Sequence, residues 1–181
     1  MRKTMFIAGV WLAMLAQGAA AHSFNVVMAV PGDVSAETRS DMTAAFLLAS
    51  EERDGHANEE SDGHLGGLDV YFTLAGTDQV ARMQAADPDI LSLPLGGNAR
   101  VGDAVVLESS GAGSSLVAGF LAQPANPGMT GFTSRYTARI GRAPGQEAIA
   151  AYAAARQIDL AVRALGAVDD RAALKKVLDA R

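Results

Sequence analysis

Apolar positions along the chain fall into two rhythms. Phe24-Asn25-Val26-Val27-Met28-Ala29-Val30 runs apolar almost without a break and stops at Pro31-Gly32. A short run rich in β-branched residues and closed by a turn predicts a strand covered on both faces, as in a parallel sheet. The period then changes. Met42, Ala45, Phe46 and Ala49 recur at helical spacing behind Ser35, an N-cap residue, and Asp54-Gly55 ends that segment. Residues 56–67 are polar and Gly-rich without a period, which predicts a loop. A second strand is expected over 68–74. Thr77 is expected to cap a short helix to Ala86 that carries Val80, Ala81 and Met83, with Asp87-Pro88 breaking it. Residues 90–95 read as a third strand, with Pro94 placing its end at the sheet rim.

Two more short strands are expected at 104–107 and 116–121, on either side of a Ser- and Gly-rich loop. A helix from about Met129 to Ile140 turns Phe132, Tyr136 and Ile140 inward. The strongest helical pattern comes last. Ala151, Ala155, Ile158, Val162 and Leu165 share one face, Pro144 stands at the start and Gly166 just past the end. Asp169 or Asp170 can cap a final helix with Leu174, Val177 and Leu178 inward. Strands alternating with helices over short joints predict an α/β fold: one doubly wound, mostly parallel sheet flanked by helices.

Composition narrows the setting. Met1-Arg2-Lys3-Thr4 is basic, residues 5–16 are apolar, and Gln17-Gly18-Ala19-Ala20-Ala21 is small. This is the pattern of a secretory signal peptide over residues 1–21, cleaved after Ala21 or Ala20, with an uncleaved anchor as the alternative. The expected location is the periplasm. The 181-residue chain has no cysteine, so disulfides, thiol nucleophiles and thiolate metal ligands are excluded. Without Arg2 and Lys3, 13 basic residues face 20 acidic ones, a net charge of −7, which argues against nucleic acid or anionic lipid as a partner. The remaining 160 residues suit one domain, 22–181.

The two ends together resemble the type I periplasmic binding proteins, the leucine-binding-like receptors of branched-chain amino-acid ABC importers. At the end of the chain the matching residues are Phe132, Tyr136, Ile140-Gly141-Arg142 and Pro144, followed by Ala151-Tyr152, Ala155, Ile158, Ala161-Val162 and Leu165-Gly166. At the start they are Asn25 to Val30, Met42 to Ala49 and Gly66-Gly67, with Ser50-Glu51-Glu52 in the place of the family's acidic pair. Such receptors are about twice as long and close two lobes on a ligand. The resemblance therefore implies a single lobe one, with the second lobe missing between about Gly96 and Ser115. It implies weak binding of a small amphipathic solute such as an amino acid for an ABC-type import system, with permease subunits as partners. The alternative is an accessory protein that keeps the one-lobe scaffold and binds a protein partner or a second copy of itself.

The ligand contacts implied by the family fall on the loop after a strand, here Ala75-Gly76-Thr77-Asp78. Gly76 permits close approach, Thr77 offers a hydroxyl, and the helix start offers amides. An ordinary Thr N-cap accounts for the same residues. Ser109, Ser110 and Ser114 form a second hydroxyl-rich loop, which also reads as a simple turn. His56, His64, Asp54, Glu59, Glu60 and Asp62 could ring a metal but lack compact ligand spacing, so a solvated acidic loop is the reading preferred. His22, as a new N-terminus, could chelate copper only with a second ligand that nothing in the sequence fixes. No nucleophile elbow, phosphate loop or zinc-protease motif occurs, so no enzyme activity and no cofactor are expected.

Overall fold

The computed structural model describes residues 23–52, 60–83, 87–108 and 128–180. The expected signal peptide and the strand expected at 116–121 lie outside them.

Strand β1 (Ser23–Val30) is the centre of the sheet. It pairs in parallel along its full length with β3 (Leu68–Gly76), from Ser23 opposite Asp69 to Val30 opposite Gly76. On its other side it pairs in parallel with β4 (Ile90–Leu93), which carries β5 (Val105–Glu108) in turn. The order is β2-β3-β1-β4-β5, where β2 (His64–Leu65) is an antiparallel edge strand on β3. The chain leaves β1 to form β3, then crosses back over β1 to form β4. That reversal is the signature of a doubly wound sheet. The architecture is a single α/β lobe, a mostly parallel sheet flanked by helices.

Local chemistry sets most boundaries as expected. Ser35 caps α1 (Ala36–Glu51): its hydroxyl accepts the Thr38 amide at 3.1 Å. Helix α3 spans Gly128–Ile140 and α4 spans Gln146–Leu165. Gly166 ends α4 in the left-handed region (φ 72°), its amide donating to the Val162 carbonyl at 2.7 Å. Asp170 caps α5 (Arg171–Asp179) by accepting the Ala173 amide. Three details differ from expectation. The loop expected over 56–67 contains β2, joined to β3 through Gly66-Gly67, both with positive φ (68° and 91°), a tight hairpin turn of the kind glycine allows. Helix α2 is a single turn, Thr77–Val80, and its cap is Gly76 rather than Thr77. Strand β4 ends at Leu93, because the Gly96 amide turns back onto the Leu93 carbonyl.

The two faces of the sheet are covered unequally. On one, Phe24, Val26, Met28, Val30 and Ile90 pack with Met42, Ala45 and Phe46 of α1 and with Ala151, Tyr152, Ala155, Ile158 and Val162 of α4. Phe46 stacks on Phe72 with ring centroids 4.0 Å apart. Residues 151–156 of α4 are all buried, so this helix runs through the interior rather than along a surface. Leu165, at its last turn, is exposed instead of joining the inward stripe. The other face has a smaller core of Val27, Ala29, Ala75, Leu91 and Leu93 under Val80 and Val101. Toward the amino ends of the strands that face opens to solvent at Asn25, Tyr71 and Thr73.

Candidate ligand site at the carboxyl ends of the strands

Open α/β sheets bind ligands outside the carboxyl ends of their strands, where the strand order reverses. Here the reversal lies between β1 and β4. From β1 the chain leaves through Pro31-Gly32-Asp33, and from β4 through Pro94-Leu95-Gly96-Gly97. Beside β1, β3 ends at Gly76 opposite Val30 and passes straight into α2. At Gly32 and Gly97 nothing lies within 4 Å of the place a side chain would start, so backbone is open to approach at both loops. Arg39 braces the first loop: its Nε donates to the Val34 carbonyl at 3.1 Å and its Nη2 to the Pro31 carbonyl at 3.0 Å.

Gly76 and Thr77 sit on this rim. The Gly76 amide is already engaged, donating to Gln79 Oε1 at 3.1 Å. A Cβ at Gly76 would lie 2.5 Å from the Asp78 carboxylate, so glycine is required for Asp78 to fold back against the strand end. Arg82 comes no nearer to Asp78 than 3.8 Å, with both side chains largely exposed, and offsets little of its charge. One helical turn also sums little dipole. The charge at this rim therefore suits an ammonium or a neutral polar group better than a carboxylate.

The other candidate residues are distributed differently. Ser109, Ser110, Ser114, His22, Asp54, His56 and Glu59 lie outside the described residues. His64 Nε2 pairs with Asp69 Oδ1 at 2.8 Å across the β2–β3 hairpin. Asp62 accepts the Phe72 amide at 2.8 Å. These groups hold the hairpin. Among the described residues no three His, Asp or Glu side chains gather where a metal could bind, and no helix is long and apolar enough to cross a membrane.

Two polar clusters escaped the sequence reading. Arg156 and Asp159 are both buried within α4, with Arg156 Nη1 3.2 Å from Asp159 Oδ2. Asp159 Oδ1 accepts the Gly66 amide at 2.8 Å and Arg163 Nη2 at 2.8 Å, so this carboxylate ties the hairpin turn to the central helix. The second cluster joins three helices: Tyr152 Oη donates to Glu52 Oε2 at 2.9 Å, and Arg135 bonds both Glu52 and Tyr152. Burial, then the Glu52 charge, pushes the Tyr152 hydroxyl up to about 12. Burial and neighbouring Asp41 do the same to Tyr136, also to about 12. Both phenols stay neutral and structural at ordinary pH. The i, i+3 spacing of Arg156 and Asp159 was visible in the sequence, but nothing in it marked the pair as buried.

No protein-family model, no curated protein and no solved structure matches this chain.

Proposed function

We propose that the chain is a one-lobe periplasmic solute-binding module that weakly holds a small amphipathic solute, such as an amino acid or an amine, for an ABC-type import system. The observation that carries this reading is the strand reversal between β1 and β4, with backbone open at Gly32 and Gly97 at the carboxyl ends. The resemblance of both chain ends to leucine-binding-like receptors motivates the choice of ligand class. A single lobe leaves the ligand open to water, where polar contacts are screened and little surface is buried, so affinity is expected in the range of about 0.1–10 mM. Asp78 at the rim favours solutes carrying an ammonium group.

The test is a thermal-shift and calorimetry screen with leucine, glutamine, a linear diamine and a dicarboxylic acid, each up to 10 mM. A response to the amino acids or the diamine, lost in Gly76→Val, supports the reading. Silence across the panel sinks it. Export is tested by sequencing the amino terminus of protein recovered from the periplasm, expected to start at Ala21 or His22.

A second reading rests on the other sheet face. Asn25, Tyr71 and Thr73 form a solvent-exposed polar and aromatic patch where doubly wound sheets usually carry a helix. An accessory protein docking a partner or its own copy there would sediment as a dimer or capture its partner, and Tyr71→Ala would abolish that.

A further inference from the structure

Helix α3 is attached to the lobe in an unusual way. Along residues 131–140, only Phe132 and Tyr136 are buried; Phe132 stacks on Tyr152 of α4 with centroids 4.1 Å apart. Among the described residues, three guanidinium groups add ionic links. Arg135 Nε meets Glu52 Oε1 at 2.6 Å. Arg139 forks onto both oxygens of Glu51. Arg142, just past the Gly141 turn, reaches Asp41 at 2.6 Å and Glu37 at 3.0 Å. Every acid in this ladder is on α1 or is its C-cap residue Glu52, and every base is on α3 or the turn that follows it.

We propose that this ladder is an ionic latch, and that α3 undocks as a unit ahead of the rest of the lobe as ionic strength rises. A helix of 13 residues is marginal on its own in water, so docking decides whether it forms. The three arginine side chains are 36%, 38% and 47% exposed, so mobile ions reach them and screen their pairs. An exposed pair of this kind shifts an equilibrium by about 1.5- to 5-fold, and three in one ladder by roughly tenfold or more. The central helix differs: Asp159, its ionic anchor, has no solvent exposure, and its packing surface is apolar. Salt therefore loosens α3 selectively. The undocked form uncovers Phe132, Tyr136 and one side of Tyr152, an aromatic patch that the docked form hides.

Amide hydrogen exchange followed by mass spectrometry on the full chain tests this. Raising sodium chloride from 20 mM to 500 mM is expected to speed exchange over 132–140 about tenfold and leave 151–162 unchanged. Glu51→Gln should speed the same segment at low salt and blunt its salt response. Glu51→Arg combined with Arg139→Glu should restore both. The proposal is overturned if α3 exchanges no faster than α4 at either salt, if both segments respond by the same factor, or if Glu51→Gln leaves α3 unchanged.

Discussion

Gly66 and Gly67 stand side by side in the β2–β3 turn, both with positive φ, yet they differ in what surrounds them. Around Gly67 nothing lies within 4 Å of a would-be Cβ. At Gly66 that atom would fall 2.5 Å from Val162 Cβ and 2.6 Å from the Arg163 backbone nitrogen. Gly67→Ala therefore tests left-handed strain alone, about 1–2 kcal/mol. Gly66→Ala incurs the same strain and must also push the turn off α4. That movement strains or breaks the 2.8 Å bond from the Gly66 amide to Asp159, a carboxylate with no access to water. Depriving a buried carboxylate of one donor costs about 1–3 kcal/mol, and the lost apolar contact with Val162 adds to it. The expected total for Gly66→Ala is about 3–5 kcal/mol. The measurement is urea denaturation of both variants and the parent, comparing midpoints at a shared slope. A Gly66→Ala variant within about 1 kcal/mol of Gly67→Ala would refute the claim that this turn is keyed into the central helix.

Further outcomes follow from other sites. Ser92 is fully buried in β4 and its hydroxyl has no hydrogen-bond partner among the described residues, so Ser92→Ala is expected to raise stability by about 0.5–2 kcal/mol; a loss of more than 1 kcal/mol in urea unfolding would show the hydroxyl is satisfied. Asp159→Ala removes a fully buried carboxylate that pairs with buried Arg156 and should cost about 3–5 kcal/mol, while Arg163→Ala, removing an exposed partner of the same group, should cost about 1 or less; equal effects would contradict the burial argument. Tyr136 and Tyr152 both titrate at about 12 in the fold against 10 in the unfolded chain. Their contribution is whole below about pH 10 and is lost as pH rises toward about 12, on the order of 1 kcal/mol per tyrosine once partial screening is allowed for. Tyr152→Phe should flatten that alkaline fall, and an unchanged slope would count against it.

The fold was legible where one rhythm dominated. The apolar run at β1, the 3–4 spacing in α1 and α4, and the caps at Ser35, Asp170 and Gly166 each follow from local chemistry, and each appears where that chemistry puts it. The misses are also physical. A two-residue strand carries no period, so β2 was invisible until Gly66-Gly67 was seen to turn it onto β3. Thr77 looked like a cap by residue type, but β3 runs on to Gly76, which takes the cap position, and the helix starts one residue early, at Thr77 itself. Leu165 fits the α4 stripe on paper, yet at the last turn of the helix it is exposed. Nothing in the sequence marks Arg156 and Asp159 as buried, because charged residues usually are exposed, whereas residues 151–156, 158 and 159 of α4 are buried.

The site was less legible for a related reason. The residues on which the sequence resemblance was argued are occupied with holding the lobe together. Gly66 makes room for Val162, and Gly67 completes the turn. Glu51 and Glu52 clamp Arg139 and Arg135 of α3. Tyr152 bonds Glu52 and stacks on Phe132. Phe132, Tyr136, Ala155, Ile158 and Val162 are core. None of these lies on the loops at the carboxyl ends of β1, β3 and β4. The rim carries Asp78 in the first turn of α2, where an anion-binding loop would carry no acid. It follows that substitutions in the resembling residues will report on stability, and that only substitutions at the rim can report on a ligand. Val162→Ala should lower the urea midpoint, by about 1–3 kcal/mol, and leave any solute response per folded molecule intact. Gly76→Val, forcing Asp78 off the strand end, should do the reverse to the response.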